Sequence, residues 1–176
     1  MKQKELTELS LDELWQLFPI ILTAHQDCWA EWYKEEAELL KEQLSYAKRI
    51  SHIGSTAIKG IWAKPTIDIL VEISREEKII DLKNAVEKCS YICMAENNSR
   101  IDFNKGYTLR GFAERVFHLH LYYEGDNDEL YFRDYLQANT AIAKEYERLK
   151  LDLWKQYEHD RNMYTSHKGD FVEQYT

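Results

Sequence analysis

The chain reads RISHIGSTAIKGIWAKPTIDILVEI from Arg49 to Ile73. In the last part of this stretch every second side chain from Ile67 onward is aliphatic, while the alternate positions include Asp68 and Leu70. Successive side chains of a β-strand point to opposite faces of a sheet. The pattern therefore predicts a strand with one face in the core and a carboxylate on the other face.

A glycine-serine turn is predicted just before that strand. Gly54 has no Cβ, so its backbone can approach an anion closely, and the hydroxyls of Ser55 and Thr56 add donors. We expect a phosphate group to bind at this turn, with His52 and Lys64 as further candidate phosphate-binding residues. The alternative for Lys64 is an ordinary solvated lysine.

The N-terminal part of the chain has the signals of two helices. Ser10 and Glu13 have the spacing of a capping box, in which each side chain satisfies a free amide of the other residue, and Pro19 is expected to end that helix. From about residue 27 to 44, apolar residues recur at helical spacing. This segment is predicted to be a helix packed on a core.

The centre of the chain is predicted to be rich in strands and the C-terminal part to be helical. A second capping box at 74–77 predicts a helix between the strands, Gly106 is expected at a turn, and breaks are expected near Asn139 and His159 in the helical part. The predicted strands are residues 49–53, 66–74, 91–96, 100–104, 106–110 and 116–123. The fold class is therefore predicted to be α+β, with helices before and after a mixed sheet.

Composition limits the classes of function. The 176 residues are 44% hydrophobic, enough for one core, so we expect a single domain over 1–176, with 1–26 as an N-terminal helical extension and 27–176 as the core. A net charge of −8 makes long nucleic acid an unfavourable partner. We expect a cytoplasmic protein with no membrane partner and three reduced cysteines, because no signal sequence or metal-finger spacing is present.

The stretch from His52 to Val71 closely resembles the signature of the bacterial GrpB family. Residues 117–121 and 132–136 agree with it. The GrpB family is similar in turn to the nucleotidyltransferase superfamily, so the resemblance implies a nucleotidyltransferase-like core. In that superfamily the Gly-Ser turn, matched here by Gly54 and Ser55, holds nucleotide phosphates.

The same resemblance implies a metal-binding carboxylate at Asp68. The superfamily carries a second carboxylate, and the matching position here is Leu70. Two ions about 3.5–4 Å apart need several bridging oxygens. Glu72 is about 13 Å further along the strand, too far to share an ion. An ordinary two-metal nucleotidyl transfer is therefore not expected.

Two histidines could take the place of the missing second carboxylate. His118 and His120 are two residues apart in a predicted strand and therefore share a face. With Asp68 they form a candidate catalytic or metal-binding set, either holding a divalent metal such as Mg²⁺ or a transition ion, or placing imidazoles beside a phosphate without metal. The alternative is that both only hydrogen-bond their neighbours, and that Asp68 forms a salt bridge with Arg110, Arg115 or Lys64.

Cationic residues of the C-terminal helices are candidates for closing over the site. Arg133 and Lys168 are predicted to bind phosphate, and Lys150 is a weaker candidate. Alternatively, Arg133 pairs with Asp134 or Glu129, and the lysines make solvated helix pairs.

We therefore expect a cleft that binds a nucleotide or another small phosphate-bearing molecule. Whether the protein is an enzyme stays open at this point, and a metal-dependent nucleotidyltransferase is one alternative. The other is a non-catalytic accessory or folding module, related to a domain that is fused to dephospho-CoA kinase in some bacteria.

Overall fold

The computed structural model describes residues 5–125 and 128–176. Helices occupy both ends of the described chain and one connection between strands. They are α1 (Leu11–Leu17), α2 (Cys28–Gln43), α3 (Ile79–Lys88), α4 (Asp128–Ala138), α5 (Thr140–Tyr157) and α6 (Arg161–Gln174). No helix in these residues has the length and apolar character needed to cross a membrane.

A five-stranded mixed sheet forms the centre, in the order β1-β2-β5-β4-β3. Its strands are β1 (Ala47–Ile53), β2 (Thr66–Ile73), β3 (Ile92–Glu96), β4 (Arg100–Thr108) and β5 (Gly111–Tyr123). The central pair β2 and β5 is parallel, and the other neighbours are antiparallel. The α+β class with a mixed sheet between terminal helices is confirmed.

The predicted apolar face of β2 lies in the main core. Its four aliphatic side chains, from Ile67 to Ile73, have no exposed surface, and they pack with buried residues of α2 and α3 such as Trp29 and Val86. Because α2 and α3 cover this face, the opposite face of the sheet is left to the C-terminal helices.

Helix boundaries follow the sequence signals at most positions. The Ser10–Glu13 capping box is formed at the start of α1, which ends two residues before Pro19. The breaks near Asn139 and His159 are confirmed, since Asn139 precedes α5 and Asp160 caps α6.

Two local predictions were wrong. Residues 74–77 form a turn instead of a helix start, because the Ser74 carbonyl accepts from the Glu77 amide and α3 begins only at Ile79. Gly106 lies in a β-bulge within β4, at φ +94°, and a Cβ there would be 2.4 Å from the Arg115 carbonyl oxygen. The hairpin turn instead lies between Thr108 and Gly111.

Candidate functional site

A cleft of about 570 Å³ lies between the outer face of the sheet and the helices α4, α5 and α6. Eight of the main candidates selected from the sequence line it, and so does the weaker candidate Lys150. The eight are Gly54, Ser55, Thr56, Lys64, Asp68, His118, His120 and Lys168. Arg161 and Lys150 of the C-terminal helices also line it, so the C-terminal segment supplies one wall of the cleft.

Backbone conformation at Gly54 leaves room for the Asp68 carboxylate. Gly54 has φ +71°, and a Cβ at this position would lie 2.4 Å from Asp68 Oδ2. The end of β1 pairs with β2 at this level, with Ile53 opposite Asp68. One carboxylate oxygen therefore rests against the glycine.

The other oxygen of Asp68 faces both histidines. Asp68 Oδ1 is 3.3 Å from His118 Nδ1 and 3.8 Å from His120 Nε2. The register explains this convergence: β2 and β5 are parallel, with Asp68 beside His118 and Leu70 beside His120. The alternative, a salt bridge from Asp68 to Arg110, Arg115 or Lys64, is not formed among the described residues, and Arg115 pairs with Glu35.

Each imidazole is held at its second nitrogen by a residue of β4. His118 Nε2 is 2.7 Å from the Tyr107 hydroxyl, and His120 Nδ1 is 2.7 Å from Asp102 Oδ1. Asp68 can only accept from His118 Nδ1, so neutral His118 carries its proton there and its Nε2 accepts from Tyr107. The ring orientations are thus fixed from two sides.

These contacts set the charges. Burial alone would raise the pKa of Asp68, but the bonds from His118 and His120 outweigh it and hold that pKa well below its usual range. Burial lowers the pKa of His120, and Asp102 and Asp68 overcome this and raise it to about 9. Burial keeps the pKa of His118 below its ordinary value despite Asp68. At neutral pH one imidazolium therefore lies between two carboxylates.

Four cations surround the end of the cleft near the turn. Burial lowers the pKa of Lys64 to about 7, and the neighbouring charges of Arg161 and Lys168 act in the same direction. The pKa of Lys150 is lowered to about 7, by burial first and then by Lys168. Within residues 5–125 and 128–176, the Lys64 ammonium has neither a hydrogen bond nor an ion pair.

Lys150 departs from the expected solvated helix pair. It is 2% exposed, and its ammonium donates to the Trp62 carbonyl. Glu147, on the same helix, accepts from the Trp62 amide and pairs with Lys144 instead of Lys150. The α5 side chains thus hold the loop that carries Lys64, which the helical spacing alone did not indicate.

Two residues selected from the sequence lie outside the cleft lining. His52 stacks on Tyr33 and lies 2.9 Å from the Thr56 hydroxyl, and burial lowers its pKa to about 4. Arg133 donates to the His52 carbonyl and pairs with Asp134, which was the alternative to phosphate binding. His52 Nε2 and the Arg133 guanidinium therefore already have protein partners.

The donors around Asp68 do not match a two-magnesium centre. Leu70 is fully buried, and Glu72 pairs with Arg49, so neither can supply the second carboxylate. Across the described part of the chain, no group of three or more His, Cys, Asp or Glu side chains is arranged to hold a metal ion. Asp68 and the histidines instead contact one another directly.

Sequence reasoning missed Asp102, Tyr107, Arg161 and the buried state of Lys150. Asp102 and Tyr107 lie on β4, and only the pairing of that strand with β5 brings them beside the histidines. A usable signal existed for Asp102, since it is a carboxylate alternating with the apolar Ile101 and Phe103 in a predicted strand. Arg161 carried no signal beyond its place at a helix start.

Comparisons with known proteins place these observations in a family context. The family model described as GrpB protein matches residues 19–176. A glutamate-rich protein GrpB from Alkalihalophilus pseudofirmus is 35% identical over 162 residues, which cover 88% of this chain and 92% of that protein. The crystal structure of the conserved protein GrpB from Enterococcus faecalis has 30% identity and a TM-score of 0.72, covering 88% of this chain and 99% of that one.

More distant solved structures share the fold alone. The Cid1 poly(U) polymerase bound to MgGTP has 10% identity and a TM-score of 0.53, covering 76% of this chain and 44% of that chain. The GLD-2/RNP-8 complex has 10% identity and a TM-score of 0.56, covering 85% and 50% respectively. The core is therefore nucleotidyltransferase-like.

Proposed function

Since the chain belongs to the GrpB family and has a nucleotidyltransferase-like fold, we propose that its cleft binds a small molecule bearing several phosphates, such as a nucleotide. The observation that carries this proposal is the Lys64 ammonium. It has no partner among the described residues, and it shares the cleft with Lys150, Arg161 and Lys168. Partly buried cations that repel one another are costly unless an anion neutralises them.

The geometry of the turn supports an oligophosphate at this end. Ser55 and Thr66 line the same cleft as Lys64, so their hydroxyls can add donors to the cations. Thr56 is less available, because its hydroxyl already contacts His52 and donates to the Thr66 carbonyl.

Ligand binding is better supported than two-metal nucleotidyl transfer. Buried Leu70 removes the second carboxylate, which favours a binding or accessory module over a two-metal nucleotidyltransferase. The second arrangement to be tested is a divalent cation, such as Mg²⁺ or a transition ion, that arrives with the phosphates. Asp68, His118 and His120 could hold it only after both histidines lose the protons that now face Asp68.

Thermal unfolding and titration calorimetry with inorganic triphosphate and nucleoside triphosphates test the proposal. Each ligand is used with and without Mg²⁺, Mn²⁺ or Zn²⁺. A ligand that binds the folded state raises the melting temperature by mass action. Lys64→Met and Lys168→Met should each weaken triphosphate binding at least tenfold.

The matched control is Lys155→Met, because Lys155 is an exposed lysine of α5 outside the cleft. This variant should bind triphosphate as the parent protein does. Equal binding by Lys64→Met and Lys155→Met, or no stabilisation by any phosphate compound with or without metal, contradicts the proposal.

A further inference from the structure

The two buried lysines of the cleft differ in whether their nitrogen is occupied. Lys150 is 2% exposed, and its ammonium donates to the Trp62 carbonyl. Lys64 lines the same cleft, and among the described residues its side chain makes neither a hydrogen bond nor an ion pair. The nitrogen of Lys64 is therefore free to react with a ligand, whereas that of Lys150 is held by the protein.

The other two cations at this end are better placed to bind an anion than to react. The guanidinium of Arg161 has donors only and keeps its charge in proteins. The ammonium of Lys168 lies 6.0 Å from the centre of the Tyr164 ring, a contact that favours the charged form. Arg161 and Lys168 can therefore hold a phosphate beside Lys64 without using the Lys64 nitrogen.

Burial and charge make Lys64 a nucleophile. Burial first, and then the charges of Arg161 and Lys168, lower the pKa of Lys64 from its ordinary value of 10.5 to about 7. About half of its side chains are then neutral at pH 7, against fewer than about one in a thousand for an ordinary lysine. A neutral amine attacks electrophilic carbon, and burial next to other cations is a known way of obtaining one in a protein.

The surrounding charges favour a carbonyl compound as the electrophile. Attack on an acyl or phosphoryl group would convert Lys64 into an amide or phosphoramidate and remove its positive charge. Reaction with an aldehyde or ketone gives a protonated imine, which keeps the positive charge next to a bound phosphate. The hydroxyls of Ser55 and Thr66 line the same cleft and can donate to the carbonyl oxygen as it gains negative charge.

We infer that Lys64 forms an imine with an aldehyde or ketone whose phosphate group is bound by Arg161 and Lys168. The inference rests on the proposed function, because it names the class of phosphate compound that enters the cationic end of the cleft. The Lys64 nitrogen bonds to the carbonyl carbon, and the carbonyl oxygen leaves as water. Two of the three ammonium protons leave with that oxygen and the third stays on the imine, so no oxidant or reductant is needed.

Reductive trapping on the full chain at pH 7 tests the inference. Sodium cyanoborohydride reduces a protonated imine to a stable secondary amine, and peptide mass spectrometry then gives the rate of modification at each lysine. With glycolaldehyde phosphate, Lys64 should be modified at least tenfold faster than Lys155, which is exposed and lies outside the cleft. With uncharged glycolaldehyde, this ratio should fall at least threefold, because no phosphate directs the aldehyde to Lys64.

Two further measurements separate a bound aldehyde from a merely reactive lysine. Inorganic triphosphate should protect Lys64 from modification, because it occupies the same cations. Lys168→Met should slow the reaction of Lys64 with glycolaldehyde phosphate at least fivefold, and Lys155→Met, the matched control, should leave the rate at Lys64 unchanged. Equal rates at Lys64 and Lys155 in the parent protein, or a ratio that is the same for both aldehydes, overturn the inference.

Failure of the proposed function gives a different result. In that case inorganic triphosphate neither binds in calorimetry nor protects Lys64. If the inference alone fails, triphosphate binding remains sensitive to Lys64→Met, while glycolaldehyde phosphate modifies Lys64 no faster than Lys155.

Discussion

The Asp68 carboxylate lies in the space that a side chain on Gly54 would occupy. A Cβ at Gly54 would lie 2.4 Å from Asp68 Oδ2 and 3.0 Å from its Cγ. The glycine is therefore required for two reasons, its positive φ and the carboxylate beside it. An anion that binds at the turn would lie near this carboxylate and be repelled by it. The imidazolium of His120 compensates the charge of the carboxylate.

Gly54→Ala is expected to destabilise the protein by about 1–3 kcal/mol, the range for a residue forced into a sparsely populated backbone region, plus the cost of moving Asp68. Urea unfolding measures the change. Gly60→Ala is the control, because Gly60 has a similar φ of +79° but open space where the Cβ would go. An equal loss in both variants would mean that the Asp68 contact costs nothing.

His120 should make stability depend on pH in the alkaline range. Its folded pKa of about 9 is above the ordinary value of 6.5, so its contribution is fully present below 6.5 and is lost as pH rises through about 9. The unfolding free energy of the parent should exceed that of His120→Gln by about 3 kcal/mol more at pH 6.5 than at pH 9.5.

The effect of His120 must be taken from the difference in unfolding free energy between the parent and His120→Gln. Lys64 and Lys150 change the stability of both proteins with pH in the opposite direction. Their folded pKa values of about 7 are below the ordinary 10.5, so their burial destabilises the fold less as pH rises through this window. A difference between parent and His120→Gln that stays constant from pH 6.5 to 9.5 would show that His120 is not charged in the folded protein.

Binding of triphosphate at pH 8 should be accompanied by proton uptake. Lys64 and Lys150 have pKa values of about 7, so both are largely neutral at pH 8 in the free protein, and a bound polyanion favours their charged forms. Calorimetry in buffers with different heats of ionisation measures the uptake, which should be about one to two protons per site.

Lys64→Met should reduce the proton uptake, and Lys155→Met should leave it unchanged, since Lys155 is 75% exposed on its side chain. Uptake that is the same in both variants would place the protonation elsewhere than Lys64. Binding with no proton exchange at pH 8 would contradict the assignment of the phosphates to this end of the cleft.

Strand β2 shows how far the sequence alone could go. The alternation from Thr66 to Ile73 was enough to predict a strand, its core face and the position of Asp68 on the opposite face, because side-chain direction has a fixed period of two. The residues also predicted the turn at Gly54 and the α+β class, and the family resemblance added the nucleotidyltransferase-like core. These features are local, so they can be read from neighbouring residues.

What the sequence could not give was the set of partners. His118 and His120 meet Asp68 only because β5 is parallel to β2 in one register, and Asp102 and Tyr107 reach the histidines only because β4 is antiparallel to β5. A shift of one residue would turn each side chain to the other face.

The sequence by itself thus determined most of the strands and helices and placed Asp68 on the outer face of β2. The tertiary structure alone decided that Lys64 and Lys150 lie close together while His52 and Arg133 are outside the cleft lining. The physical reason is that burial and charge proximity are properties of packed helices and strands distant in sequence, and they change the pKa and the availability of a side chain without changing its identity.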